Sequence, residues 1–331
     1  AMISPNQNLE NRGSSNSATF KRTPLQIIHM IGNLMRIWSV YSMYHYLSQS
    51  GASVVLFIFS CLVPSSILFL ILQKPWKGRP LSNAQVTPSM INGIITALYF
   101  ISWGKGVKSC GPLRAILAEY SGALLGVLSA VLFGRRRNIL KKAGGLLAIL
   151  GSFYLLSRGW TTATQFPFTH RNNQEADAKS DEVFEGKDML IPIIAGILSA
   201  LRRVITRQVS LKNRIKKKLN AITIASATCF LFPAAMWDMI VGSDTVVLPF
   251  SAWAFSSFVL FGIIFIFYVD SLAEERLHVV FSSPRHLIVA GCCIVVMEAA
   301  YKMDFSFPGF LLCTAVLGFG IREATSLDRA K

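Results

Sequence analysis

A chain of 331 residues in which 52% are hydrophobic and only 15% are charged is not an ordinary soluble protein, since soluble domains carry about 25% charged residues. The formal net charge of +16 does not indicate nucleic-acid binding, because the basic residues lie between apolar runs and are not interleaved with aromatic ones. Repeated apolar runs of about 20 residues predict an all-α polytopic membrane protein.

Residues 1–24 are polar and predict a disordered cytoplasmic N-terminus. About ten transmembrane helices follow, in a first helical half (25–158) and a second helical half (189–322). The apolar segments are 25–48, 52–72, 88–107, 112–133, 143–158, 189–208, 219–241, 246–269, 279–299 and 307–322.

Charged residues weaken the prediction of a full span for two of these segments. The segment 25–48 carries Arg36 between His29 and His45, so it either crosses the bilayer or lies along its surface. The segment 189–208 reaches Arg202 and Arg203 after only thirteen apolar-leaning positions.

The distribution of basic residues predicts the orientation of the helices. If the segments alternate in direction, 22 of the 33 lysines and arginines fall on one side and 8 on the other, and the remaining three lie within segments. Loops rich in Lys and Arg stay in the cytoplasm. Both termini are therefore expected to be cytosolic.

The longest connection, 159–188, is polar and acidic and is expected on the non-cytoplasmic side, where it separates five helices from five. Residues 323–331 are expected to be a cytoplasmic end. Because they follow an apolar run so closely, we also expect the chain to be a piece of a longer protein.

Sequence motifs for catalysis are absent. The chain contains neither a P-loop nor a Gly-x-Ser-x-Gly turn, and we do not expect an enzyme. The cysteines form no Cys-x-x-Cys pair and are expected to be small apolar packing residues; they are Cys61, Cys110, Cys229, Cys292, Cys293 and Cys313.

The stretch "CGPLRAILAEYSGALLGVLSAVLFGRRR" (110–137) places a cation and an anion in an apolar segment. Its small residues recur every fourth position and predict close packing against another helix; they are Ala118, Gly122, Gly126 and Ala130. Arg114 lies near the start of the segment and can extend to the interface. Glu119 lies deeper, and it either binds a transported proton or cation or forms an ion pair with Arg114 or Arg36.

Asp270, Glu274 and His278 are spaced four residues apart and would share one face of a helix. Mixed oxygen and nitrogen ligands at this spacing can hold zinc. The same pattern also fits a charged helix end at the cytoplasmic interface, which is the interpretation that we favour.

The largest basic cluster either determines topology or binds anionic lipid headgroups. It comprises Arg202, Arg203, Arg207, Lys212, Arg214, Lys216, Lys217 and Lys218.

A small-residue-rich segment, a tight basic turn and "KKAGGLLAILGSFYLLS" (141–157) resemble half of a repeat in the drug/metabolite transporter superfamily. That superfamily includes nucleotide-sugar transporters, and its ten helices form two five-helix halves. In the second half of this chain, "FYVDSLAEERLHVV" (267–280) replaces the basic turn. The resemblance therefore concerns the fold alone.

Three short strings give a second resemblance: "LQKPWKGRPLS" (72–82), "CGPLR" (110–114) and "FYVDS" (267–271). They are similar to the N-terminal membrane region of the long zinc transporter branch (zinc transporter five and plant metal tolerance proteins) of the cation diffusion facilitator superfamily. The metal-transport core of that superfamily uses His-x-x-x-Asp or Asp-x-x-x-Asp pairs on two helices. None of the histidines here has such a partner, and Asp177 and Asp181 lie in the polar loop.

The second resemblance implies the membrane-embedded N-terminal part of a zinc efflux transporter, which assists assembly, stability or targeting and lacks the metal-transport core. It implies zinc as the ion transported by the full-length protein and no cofactor in this chain. It further implies a heterodimer with a shorter cation diffusion facilitator, and a Golgi or early secretory membrane. The alternatives are an independent carrier for a nucleotide sugar or similar metabolite, which would need buried cations, and a non-transporting scaffold.

Overall fold

The computed structural model describes residues 27, 31–45, 53–77, 81–133, 139–158, 188–212, 216–241, 284–303 and 306–325. These residues form helices and short connections, which confirms the predicted all-α class. The helices are α1 (31–45), α2 (Val54–Gln73), α3 (Asn83–Ala118), α4 (Gly122–Phe133), α5 (Ile139–Arg158), α6 (Leu190–Lys212), α7 (Lys216–Val241), α8 (Pro284–Tyr301) and α9 (Phe307–Thr325).

Five helical stretches in the described residues are long and apolar enough to cross a membrane, and the chain is a multi-pass membrane protein. They are Val54–Gln73, Asn83–Leu128, Leu140–Ser157, Lys217–Val241 and Phe307–Ala324. A shorter apolar helix covers His286–Tyr301. The predicted segment 246–269 lies outside the described residues.

The chain reverses direction at Gly111, within the stretch that is continuous from 83 to 133. Gly111 has φ 81° and ψ 168°, a conformation that a residue with a Cβ rarely adopts, and Pro112 follows it. Twenty residues of straight helix would separate Tyr99 from Glu119 by about 30 Å. Instead, the Tyr99 hydroxyl donates a hydrogen bond of 3.2 Å to Glu119. Residues 83–110 (the first arm) and 112–133 (the second arm) therefore form a helical hairpin, as the separate segments 88–107 and 112–133 predict.

Helix α6 packs against both arms of this hairpin. It runs antiparallel to the first arm: the Cys110 thiol donates to the Asp188 carbonyl at 3.3 Å, and the Asn92 amide nitrogen donates to the Thr206 hydroxyl at 2.9 Å. It runs parallel to the second arm, where the Ser121 hydroxyl donates to the Ile193 carbonyl at 2.8 Å. The hairpin and α6 form the centre of the described bundle.

Helix α7 packs between α2 and the first arm. Its C-terminal end meets the start of α2, where the Ser53 hydroxyl donates to Asp238 at 2.7 Å. On the other side, the Thr223 hydroxyl donates to the Ser89 carbonyl at 3.2 Å, and a Cβ added to Gly93 would lie only 2.5 Å from that of Ser226. Helix α7 is thus antiparallel to α2 and parallel to the first arm.

Two further helix pairs complete the described fold. Helices α5 and α9 are antiparallel, and the Ser152 hydroxyl donates to the Cys313 carbonyl at 2.9 Å. Helices α1 and α8 are parallel, since Tyr41 contacts Glu298 and His45 stacks near Tyr301.

One face of helix α1 packs against the bundle. Ile37, Val40, Tyr41 and Met43 are each at most 2% exposed, whereas Ile31, Leu34, Met35 and Trp38 are 37–57% exposed. The two alternatives for segment 25–48, crossing the bilayer or lying along its surface, both stay predictions.

Candidate functional site: a buried cluster of charged and aromatic residues

Glu119 begins a single 3₁₀ turn, Glu119–Ser121, that interrupts the second arm. Its side chain is 5% exposed and forms an ion pair with Arg36 of α1, whose side chain is 12% exposed. The same carboxylate accepts the hydrogen bond from Tyr99 of the first arm. Three helical segments thus converge on one buried anion.

Two arginines of α6 lie near Tyr99, the residue that donates to this anion. The guanidinium carbon of Arg202 is 5.6 Å from the centroid of the Tyr99 ring, a distance typical of a cation–π contact. Arg203 donates to the Ser199 hydroxyl at 3.4 Å. Arg36, Arg202 and Arg203 all lie within electrostatic reach of Tyr99. We name these five residues (Arg36, Tyr99, Glu119, Arg202 and Arg203) the Glu119 site. It contains three arginines and one carboxylate.

Tyr120 and His286 extend the Glu119 site toward α8. The Tyr120 hydroxyl lies 3.1 Å from Nδ1 of His286, and the two rings are 6.2 Å apart. Tyr120 is 3% exposed and follows Glu119 directly in the chain. Arg202 and Arg203 of α6 and His286 of α8 all belong to the second predicted half, so the site and its extension span both halves.

Buried side chains around the Glu119 site retain hydrogen-bonding capacity. Within the described residues, Nδ2 of Asn33, Oδ1 of Asn92 and Nε1 of Trp103 have no hydrogen-bond partner. All three residues are at most 5% exposed. Asn33 lies one helical turn before Arg36, and the Trp103 ring is 6.4 Å from that of Tyr99. Unsatisfied buried polar groups are rare in folded proteins and often mark functional positions.

The structure pairs Glu119 with Arg36 rather than with Arg114. Nε of Arg114 donates to the carbonyl oxygen of Leu156 on α5 at 3.1 Å, near the end of the hairpin. Arg36, the more distant of the two arginines in sequence, is therefore the ion-pair partner of Glu119.

The small-residue stripe of the second arm lies partly against α6. A Cβ added to Gly122 would lie 2.8 Å from that of Ala200, and one added to Gly196 would lie 3.0 Å from Cα of Glu119. Ala118 is fully buried at this contact, and Gly126 is half-buried further along. Ala130 belongs to the same helix.

The candidate metal ligands Asp270, Glu274 and His278 lie outside the described residues. Among the residues that are described, no group of three or more His, Cys, Asp or Glu side chains could hold a metal ion.

Several residues of the Glu119 site have no motif in the sequence. Tyr99 and Tyr120 belong to apolar runs in which aromatic residues are common. Arg202 and Arg203 read as the start of a cytoplasmic basic cluster, yet the structure brings Arg202 to the Tyr99 ring. The sequence signal for Arg202 and Arg203 is their position inside the apolar segment 189–208, because arginines within membrane spans face protein or water.

Comparisons with known proteins show a fold and no family. No protein-family model matches the chain, and no curated protein matches it. A solved structure titled "Crystal structure of protein" is similar, with a TM-score of 0.53 and 17% sequence identity, over 91% of this chain and 97% of that chain. At this identity the similarity concerns the fold alone.

Proposed function

We propose that this protein is a secondary carrier for an organic anion of the nucleotide-sugar type. The observation that carries the proposal is the composition of the Glu119 site: three arginines lie within electrostatic reach of Tyr99, and the site contains a single carboxylate, which pairs with Arg36. Each charged residue at the centre of a membrane helix costs about 2.5–3.5 kcal/mol on insertion scales. A protein that only packs against others has no need of this excess of cations.

The residues around the charges also suit such a substrate. Arginines bind phosphate in a bidentate manner, and they are the usual partners of phosphate in proteins. Tyr99, Trp103 and Tyr120 offer aromatic faces for a planar group such as a nucleobase. Asn33 and Asn92 offer amide groups for hydrogen bonds that fix its orientation.

The proposal includes ten crossings in two five-helix halves, with both termini in the cytosol. Its support is the alternation of direction among the described helices. Helix α8 is antiparallel to the second arm, since Tyr120 meets His286 while Arg114 lies near Glu298, and so it has the direction of α7. One more crossing between α7 and α8 is then required, and 246–269 is the apolar run available for it.

An assembly role in a zinc efflux transporter of the Golgi or early secretory pathway stays a prediction. It needs a heterodimer with a shorter cation diffusion facilitator and is tested separately, by copurification of the two chains from the same membrane.

The carrier is tested by exchange transport in proteoliposomes. Vesicles preloaded with unlabelled substrate are given a panel of labelled nucleotide sugars, nucleoside monophosphates and other organic anions. We expect one class to exchange, and Arg202→Gln to reduce its uptake at least tenfold. Arg322→Gln is the matched control, because Arg322 is an exposed arginine in the last turn of α9. If no anion exchanges across the panel, the proposal is wrong.

A further inference from the structure

A second buried carboxylate, Glu298 of α8, lies apart from the Glu119 site. It is 3% exposed, and its Oε1 accepts a hydrogen bond of 2.6 Å from the Tyr41 hydroxyl. Within the described residues, no cation lies at ion-pair distance from it, whereas Glu119 contacts Arg36 directly. The two buried carboxylates thus differ in their partners: one is neutralised by a cation, and the other is held by a phenol.

Polar groups around Glu298 come from three elements. Tyr41 of α1 contacts it directly, and Tyr301 of α8 stacks on Tyr41. Tyr301 also contacts Ser42 and His45 of α1. The Tyr301 hydroxyl lies 2.9 Å from that of Ser42, and its ring centroid is 5.2 Å from that of His45. These contacts form a continuous polar cluster along the interface of α1 and α8.

The third element is the start of the second arm, which supplies Arg114. This guanidinium is within electrostatic reach of Glu298 and of Cys313 on α9, while its Nε is bound to the Leu156 carbonyl of α5. A cation therefore lies near Glu298 without forming a close ion pair in this packing arrangement. Glu298 therefore has two partners. The Tyr41 hydroxyl donates to the carboxyl group when Glu298 is protonated, and Arg114 stabilises the carboxylate when Glu298 is deprotonated.

We propose that Glu298 is a proton-binding site of the carrier. In the packed arrangement the side chain is a neutral carboxylic acid hydrogen-bonded to Tyr41. When this end of the bundle opens to water, the acid releases one proton to water and the resulting carboxylate is stabilised by Arg114. A buried carboxylate without a paired cation is costly in a membrane, and carboxylates in such positions serve proton relays in transporters.

Helix α1 connects this proton site to the Glu119 site. Tyr41 contacts Glu298 and Arg36 contacts Glu119, and the two residues are separated by about 7.5 Å of rise on one rigid helix. A shift of α1 on proton release therefore also moves Arg36. In this way the proton site couples anion movement to a proton, an extension that rests on the proposed carrier function.

Infrared spectroscopy tests the proton site without requiring transport. Purified protein in detergent is titrated with acid and base, and the carbonyl stretch of protonated carboxylic acids is followed in difference spectra. We expect Glu298→Gln to remove one such band, and Tyr41→Phe to keep the band but shift its frequency. Glu323→Gln on α9 is the control and should leave the band unchanged. The proposal is overturned if the Glu298→Gln and unmodified proteins have identical carboxylic-acid bands.

Transport then tests the coupling. In proteoliposomes that exchange substrate, we expect an imposed pH gradient to drive accumulation by the unmodified protein. Glu298→Gln should reduce gradient-driven accumulation to that of protein-free vesicles, whereas Glu323→Gln should retain it. Retained accumulation in Glu298→Gln would disprove coupling through this residue. Loss of all exchange in the unmodified protein would instead contradict the carrier, and the infrared result would still decide the proton site.

Discussion

Arg36 and Glu119 form a buried ion pair between α1 and the helical hairpin, across 83 positions of sequence. The pair fixes the position of α1 against the centre of the bundle. Tyr99, which donates to the same anion, has the guanidinium of Arg202 beside its ring. Because neither partner is more than 12% exposed in its side chain, water cannot replace either of them at low cost.

Removing one partner of this pair should destabilise the protein more than removing both. We expect Arg36→Met to lower the free energy of unfolding by about 3–5 kcal/mol, since it leaves Glu119 without its cation. The double variant Arg36→Met/Glu119→Gln should be more stable than Arg36→Met alone. Unfolding in mixed detergent micelles, followed by circular dichroism, measures the stability of the unmodified protein, the two single variants and the double variant. Strictly additive effects would show that the two side chains do not interact.

Two adjacent glycines of α5 should respond in opposite ways to alanine. A Cβ added to Gly145 would lie 3.1 Å from the Gly320 carbonyl oxygen on α9, whereas one added to Gly144 meets nothing within 4 Å. We expect Gly145→Ala to cost about 1–3 kcal/mol, because it forces two closely packed helices apart. Gly144→Ala should be neutral or stabilising by up to about 1 kcal/mol.

The same unfolding assay compares the two glycine variants, and each serves as the control for the other. If Gly145→Ala were as stable as Gly144→Ala, α5 and α9 would not approach each other as closely as described.

Tyr99 should contribute through both its ring and its hydroxyl. Tyr99→Phe keeps the ring beside Arg202 but removes the hydrogen bond to Glu119, and we expect a rise of about fivefold in the KM for exchange, equivalent to about 1 kcal/mol. Tyr99→Leu removes both contacts and should raise the KM further. Concentration-dependent exchange in proteoliposomes measures both values. Equal KM values for Tyr99→Leu and the unmodified protein would place the substrate away from this ring.

The sequence predicts much of the fold because membrane helices are encoded locally. The segment 52–72 matches α2 to within two residues at each end, and the break between 107 and 112 contains the Gly111–Pro112 reversal. Charge patterning predicts the alternation of direction, and the described helix pairs are consistent with it. Local patterns suffice here because each segment must satisfy its own backbone hydrogen bonds in lipid.

The Glu119 site was less accessible to prediction, since it is assembled from helices that are distant in sequence. Glu119 is recognisable in the sequence as an anion in an apolar run, but the sequence does not decide whether Arg114 or Arg36 is its ion-pair partner. The contact between Tyr41 and Glu298 carries no sequence signal, because 257 residues separate them. Such contacts depend on how helices pack, which periodicity does not report.

The two ends of the bundle should differ in their access to the cytosol, and engineered cysteines can test this. Nζ of Lys218 donates to the Lys77 carbonyl, so the turn after α2 and the start of α7 lie at one end. Lys302, which follows α8, lies at the other end, because α8 has the direction of α7. We expect a cysteine at Lys217 and one at Trp76, both exposed positions, to react with membrane-impermeant maleimide only after the plasma membrane is permeabilised.

A cysteine at Lys302 should instead stay protected from reagent on the cytosolic side and react only from the opposite side of the membrane. The six native cysteines are first replaced by serine or alanine, so that only the introduced thiol reacts. Lys302 and Lys217 are both exposed lysines, which makes the two variants matched controls for reactivity. Labelling of both from the same side would contradict the parallel orientation of α7 and α8, and with it the additional crossing assigned to 246–269. Labelling of Lys302 alone from the cytosol would keep the helix directions but reverse the whole bundle, and would overturn the charge-based orientation.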